Sequence, residues 1–179
     1  KNKIEQYLES VNTEIKLEKD CVDSLINTGN ISCLIKLLDN EKVSKNHETV
    51  SYVLTSACKA GSVDLIEFMI GYEHESWRFD RDAVESHLYQ AIRHIHPHAV
   101  QVLLKQDLDP NKGDCPITQA VKSDSILTQL LKHNISDKKL EEALLAACTA
   151  DNVHRVYCVK QLLEKIKDVN NADEDGMTP

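Results

Sequence analysis

Three histidines at alternate positions form the most metal-like pattern in the chain: His94, His96 and His98. Zinc takes about four convergent nitrogen or sulfur ligands, and a helix presents positions i and i+4 on one face. Pro97, however, suits the first position of a new helix, which would divide these histidines between two helices. We therefore expect capping and surface roles for them, and a zinc site is kept as the alternative.

A second pattern, Asn171-x-Asp173-x-Asp175-Gly176, matches the first half of a calcium-binding loop. The Glu that would close such a loop cannot be read, because the sequence stops first. No helix is predicted at the right distance before the pattern. An ordinary turn accounts for the same residues, so we expect no bound metal here.

Catalytic signatures are absent from the sequence. It contains no Gly-rich phosphate loop, nucleophile elbow or His-Glu-x-x-His. We therefore expect no enzymatic activity and no cofactor. Cys58 or Cys115 paired with a distant histidine is the remaining nucleophile hypothesis, although nothing in the spacing selects it.

The six cysteines contain no C-x-x-C pair, and most lie in apolar helical stretches. They predict buried thiols of a reducing compartment, the cytoplasm or nucleus, rather than a disulfide framework or a zinc site. The cysteines are Cys21, Cys33, Cys58, Cys115, Cys148 and Cys158.

Length, charge and hydropathy narrow the function classes further. The 179 residues suit one domain or one short repeat array. A net charge of −8 disfavours nucleic acid as a partner, because phosphate binding needs a basic surface. No run of 18 apolar residues exists, so we expect no insertion into a membrane. The chain starts at Lys1 without a signal-peptide pattern, and we expect a piece of a longer protein.

An internal repeat gives the strongest structural signal. Successive apolar pairs are separated by 32, 34, 27 and 32 residues. This period predicts five blocks, each too short to bury its apolar face without a neighbour. The pairs are Leu37-Leu38, Met69-Ile70, Leu103-Leu104, Leu130-Leu131 and Leu162-Leu163.

Each block is predicted to contain two short helices joined by a tight turn. Gly29 and Gly61 lie where a first helix should end, at a position that favours a left-handed backbone. Asn30 and Ser62 follow as N-caps of the second helices, and Pro97 suits the first position of another. Helix pairs of this kind stack into a solenoid.

Residues 169–179, with the motif Asp-x-x-Gly-x-Thr-Pro, closely resemble the start of an ankyrin repeat. The segment 115–121 is a weaker copy of the same helix start, and 57–66 resembles the family's helix turn and second helix. The resemblance covers roughly residues 18–179. Other blocks depart from the motif, because Tyr52, Ser86 and Glu142 stand where the family carries Thr.

The resemblance implies an all-α, ankyrin-type helix-turn-helix solenoid with short or irregular β-hairpin fingers. A HEAT- or armadillo-like array, which lacks fingers, is the alternative. Residues 1–17 would be a preceding half-repeat or cap helix, and 169–179 would start a further, truncated repeat. The five repeats are expected at approximately 18–49, 50–83, 84–113, 114–138 and 139–168.

The resemblance also implies a non-catalytic scaffold that binds a partner protein through its fingers and concave face. The predicted connections 39–48, 71–85, 107–114 and 168–175 all carry net negative charge, so we expect a partner with a basic segment. Solubilisation alone is the simpler explanation of that charge. Self-assembly through an exposed stacking face is a rival function. The role of the parent protein stays open.

Aromatic and charged residues on the connections are the candidate contacts. Trp77 is the single tryptophan and lies among charges, a composition typical of interface hot spots. Packing of Trp77 against the helices is the alternative. The candidates are Tyr72, Trp77, Arg78, Phe79, Asp109, Lys112, Asp114, Asp173 and Asp175.

Overall fold

The computed structural model of the chain describes residues 6, 10–44, 46–71, 81–106, 109–111 and 117–166. Contacts divide the chain into two compact units, Lys1–Asp80 and Arg81–Pro179. Throughout the described ranges the regular structure is helical, which confirms the predicted all-α class. Residues 1–5 and 7–9 of the predicted cap segment 1–17, and all of 169–179, lie outside the described residues.

Two helix pairs make up the described part of the first unit. In each pair a first helix contacts the second helix that follows it, and the two pairs stack, first helix on first helix and second on second. Residues at the centre of this stack, such as Leu34, Val53 and Leu65, are completely buried. The helices are α1 (Lys19–Asn27), α2 (Ile31–Leu38), α3 (His47–Ala60) and α4 (Val63–Gly71).

Three helix pairs lie in the described part of the second unit, with the same contact pattern. The first helices α5, α7 and α9 contact one another in order, and so do the second helices α6, α8 and α10. Its core includes Leu103, Leu127 and Leu162, which are completely buried. The helices are α5 (Arg81–Arg93), α6 (Pro97–Leu104), α7 (Ile117–Ala120), α8 (Asp124–Leu130), α9 (Asp137–Thr149) and α10 (Arg155–Leu163).

The turns within the first three pairs share one backbone conformation. Gly29 and Gly61 have φ angles of +71° and +67°, as the sequence predicts for helix ends. Ile95 occupies the same position after α5 with φ of +58°. In each turn the N–H of the following residue donates to a carbonyl five residues earlier; His96 donates to Ala91 at 3.0 Å. The turn geometry is therefore kept even where the glycine is missing.

The predicted caps of the second helices are correct only in part. Pro97 begins α6, as expected. Asn30 precedes α2, but its side chain makes no capping hydrogen bond and its Nδ2 instead donates to Thr28 Oγ1 at 2.8 Å. The backbone at Asn30, with φ of −80° and ψ of 46°, lies outside the extended region that a capping residue adopts.

No β-strand occurs in the parts of the chain that the structure describes, so the predicted hairpin fingers are not seen there. An isolated parallel bridge pairs Ile15 with Val43. The connection after α2 uses its backbone groups in a local turn, in which Val43 N–H donates to the Asn40 carbonyl at 3.1 Å. None of the described helices is long and apolar enough to cross a membrane.

The cysteines differ from the prediction of buried thiols. Cys58 and Cys158 are buried, but Cys21 and Cys148 are exposed and Cys33 is half-buried. The exposed pair lies on the solvent side of α1 and α9, where the apolar stripe of each helix faces the other way. Cys115 lies outside the described residues.

The turn geometry gives a paired prediction. Ile95→Gly should raise the free energy of unfolding by about 1 kcal/mol, because a left-handed backbone costs an L-residue roughly 1–2 kcal/mol, partly offset by the entropy of glycine. Gly29→Ala should lower the free energy of unfolding by about 1 kcal/mol for the same reason. A Cβ at Gly29 would meet no atom within 4 Å, so that variant reports strain without a clash. Urea unfolding measures both changes, and unchanged midpoints would refute this account of the turns.

Candidate functional site

Most of the predicted contact residues cannot be placed. Asp109 lies in the described part of the chain and is exposed. The other eight lie outside it, so their role as partner contacts stays a prediction. They are Tyr72, Trp77, Arg78, Phe79, Lys112, Asp114, Asp173 and Asp175.

Asp109 has a local structural role. Its Oδ1 accepts hydrogen bonds from the backbone N–H of Asn111 at 2.9 Å and from Asn111 Nδ2 at 3.0 Å. An aspartate that accepts from the backbone two residues later stabilises a turn. The carboxylate therefore fixes the orientation of the Asn111 side chain.

Asn111 links two connections of the second unit, one after α6 and one before α9. Its Oδ1 accepts from the backbone N–H of Ser136 at 2.8 Å, and its Nδ2 donates to the carbonyl of Asn134. Lys139, in the first turn of α9, donates to the Asn111 carbonyl. These bonds span the short pair α7 and α8, and they set the distance between the two connections.

The link at Asn111 can be tested by removing its donor. Asn111→Asp should lower the free energy of unfolding by about 1–3 kcal/mol, since the new carboxylate cannot donate to Asn134 and faces the carboxylate of Asp109. Asn134→Ala is the matched control, because it keeps the backbone carbonyl that accepts from Asn111. Thermal unfolding of both variants provides the comparison, and an Asn111→Asp protein as stable as the wild type would contradict the structural role.

A cleft of about 380 Å³ opens in the first unit, where α1 and α3 begin. We call it the α1–α3 cleft. Its walls carry charged and polar side chains, and its apolar floor includes the buried Val22. The lining includes Glu18, Lys19, Asp20, Asn46, Glu48 and Tyr52.

One charged group lies against an aromatic ring in this cleft. Lys19 Nζ lies 3.0 Å from Glu48 Oε1 and 5.2 Å from the centroid of the Tyr52 ring. The hydrogen bond and the attraction to Glu48 raise the pKa of Lys19 above its usual value. An ammonium group is thus held between a carboxylate and an aromatic face, the two partners that favour it.

The Tyr52 ring is held in place from behind. Its hydroxyl donates to Asp23 Oδ2 at 2.6 Å, and the Ser56 hydroxyl donates to Asp23 Oδ1 at 3.1 Å. The bond to Asp23 is the main cause that raises the pKa of Tyr52, and burial adds to it. Both oxygens of Asp23 therefore connect α1 to α3 across the stack.

Helix periodicity explains why these side chains meet. Lys19 and Asp23 are four residues apart on α1, and Glu48, Tyr52 and Ser56 follow the same spacing on α3. Residues at this spacing lie on one face of a helix, and α1 contacts α3. The sequence motifs did not predict this cluster, because Tyr52 stands out there only as a departure from the repeat pattern. Polar residues at i and i+4 on successive first helices were the available signal.

The described residues do not form the histidine zinc site, and of the two candidate nucleophiles only Cys58 lies among them. His94 lies in the turn after α5, His96 precedes α6 and His98 lies on α6, as the sequence predicts. Among the described residues no group of three His, Cys, Asp or Glu side chains is placed to hold a metal ion. Burial raises the pKa of the Cys58 thiol to about 12, which disfavours the thiolate that a cysteine nucleophile needs.

Comparison with known proteins does not assign the chain to a family. No model of a protein family matches it, and a search of curated proteins returns no significant match.

Proposed function

We propose that the chain is an ankyrin-type helical repeat scaffold without catalytic activity, and that it binds a partner protein. The observation that carries the proposal is the order of helix contacts. In each unit, first helices stack on first helices and second helices on second. Such arrays expose an extended surface built from equivalent positions of successive repeats, which suits protein recognition.

Repeat length favours the ankyrin type over longer helical repeats. Most second helices end 33 residues apart, at Leu38, Gly71, Leu104 and, after a shorter fourth block, Leu130 and Leu163. Ankyrin repeats have about 33 residues, whereas HEAT and armadillo repeats have about 40–47. The Asn111 link between successive connections supports the same assignment, because it fixes the spacing of loops on one side of the stack.

The α1–α3 cleft supports a binding role on the first helices. It combines an aromatic ring with carboxylates, the two groups that attract a basic side chain. The acidic connections favour a partner with a basic segment. The five cysteines among the described residues form no disulfide, which favours a cytoplasmic or nuclear setting.

Binding to a protein partner is tested by capture followed by reconstitution. We expect a protein captured from lysate to bind the purified chain directly in calorimetry, with a defined stoichiometry and weaker affinity at high salt. The double variant Trp77→Ala, Phe79→Ala should lose affinity while keeping its helical circular dichroism and melting temperature. Failure of every captured protein to bind once purified would refute the scaffold function.

Self-assembly is the second candidate, favoured by exposed apolar residues on α10 and in the turn before it. Val153, Val156 and Tyr157 are 92%, 63% and 50% exposed, and Leu163 follows on the same face. If copies associate through these residues, the mass in sedimentation equilibrium should rise above 20.2 kDa with concentration. Val153→Ser together with Val156→Ser should then restore the monomer. A monomer mass for the wild type at all concentrations would exclude this candidate.

A further inference from the structure

We propose that the α1–α3 cleft binds a Lys or Arg side chain of an extended partner segment, and that Lys19 occupies this cation position in the free protein. The proposal rests on the proposed recognition function and specifies its site and the chemistry of its partner. It also gives Lys19 a regulatory effect, because the partner's cation must displace its ammonium group.

The cation position is defined by contacts that Lys19 already makes. Its Nζ lies 3.0 Å from Glu48 Oε1 and 5.2 Å from the centroid of the Tyr52 ring. A carboxylate and an aromatic face together attract ammonium and guanidinium groups of any origin. A basic side chain of a partner would therefore find the same two groups in the same arrangement.

Lys19 is held loosely enough to be replaced. The side chains of Lys19 and Glu48 are 57% and 79% exposed. Exposed ion pairs are screened by water and salt and contribute little to stability. Displacing Lys19 therefore costs the fold little, and its ammonium group returns to solvent rather than to a buried site.

The Tyr52 ring, in contrast, is positioned before any partner arrives. Its hydroxyl donates to Asp23 at 2.6 Å, and Ser56 holds the other oxygen of the same carboxylate at 3.1 Å. Groups that are already ordered lose little conformational entropy when they bind. The aromatic face is thus preorganised, whereas the lysine that covers it is exchangeable.

Charge and volume both favour a basic peptide as the occupant. Glu18, Asp20 and Glu48 line the cleft, and Lys16 is the lining cation that remains when Lys19 is displaced. The volume of about 380 Å³ exceeds that of one side chain, so residues flanking the cation also find room. Asn46 and Thr49 offer polar side chains to such a backbone.

The experiment uses the complete chain and a display library of random dodecapeptides as the probe. We expect the selected peptides to carry Lys or Arg at one fixed position, and replacement of that residue by Ala should weaken binding about tenfold. Lys19→Met, which keeps an unbranched side chain but removes the charge, should tighten binding roughly two- to fivefold, because the competitor is lost. Glu48→Gln should weaken peptide binding by roughly two- to fivefold, because the carboxylate that attracts the cation is lost.

The ring is tested by two substitutions at one position. Tyr52→Phe keeps the aromatic face but loses the hydroxyl that orders it, so it should weaken binding less than Tyr52→Leu, which should lose about fivefold or more. Lys132→Met and Glu67→Gln remove the same charges at exposed positions outside the cleft, and should leave binding unchanged. Melting temperatures are measured for every variant. The tighter binding expected of Lys19→Met cannot arise from misfolding.

The outcomes distinguish failure of the cation position in the α1–α3 cleft from failure of the proposed protein recognition. Selected peptides without a basic residue, or a Lys19→Met affinity that is unchanged or weaker, would overturn the cation position. Peptides that bind the chain but ignore Glu48→Gln and Tyr52→Leu would also overturn it, while protein recognition elsewhere on the chain would stand. A chain that selects no peptide and captures no partner would refute both.

Discussion

Burial of one helix face by the next helix pair is the interaction on which this structure depends. The described helices run from 4 to 14 residues, lengths at which an isolated helix is marginal in water. Each carries an apolar stripe that no single partner covers, so first helices stack on first helices and second helices on second. Stability then comes from neighbouring pairs rather than from one central core, and the polar faces are left to vary.

That constraint explains why the turns of the first three pairs share one geometry although their sequences differ. A second helix can cover its first helix only if the chain reverses sharply between them. At Gly61 the chain reverses through a left-handed backbone conformation that glycine adopts easily. Ile95 adopts the same conformation although it is unfavourable for a β-branched residue. The packing of Ala91 and Ile92, which are almost completely buried one turn earlier, outweighs the cost at Ile95.

Features that depend on neighbouring residues could be predicted from the sequence, and features that depend on contacts between distant residues could not. Apolar periodicity and glycine placement report local backbone and burial, so the all-α class and the ends of the paired helices followed from Leu38, Leu104 and Gly61. The predicted cap at Asn30 is wrong because several hydrogen-bond partners lie within reach of this side chain, and it bonds to Thr28 instead of to the helix. The α1–α3 cleft depends on contacts between residues 29 to 33 positions apart. The i, i+4 spacing of its polar residues places them on one face of each helix, but it does not show which faces meet. Asn111 likewise acts on residues more than 20 positions away.

The polar residues between α1 and α3 fix the register of these two helices and also position the Tyr52 ring. Asp23 accepts hydrogen bonds from both Tyr52 and Ser56. A shift of α1 along α3 would therefore break two hydrogen bonds to this half-buried carboxylate. An apolar contact would tolerate such a shift, because dispersion has little directionality. The polar cluster therefore fixes the register of the stack, and the fixed register in turn holds the Tyr52 ring where Lys19 lies over it. The side chains that fix the register and those that form the proposed cation position thus belong to one cluster, and the cluster forms only when α1 and α3 are stacked. Its members are Lys19, Asp23, Glu48, Tyr52 and Ser56.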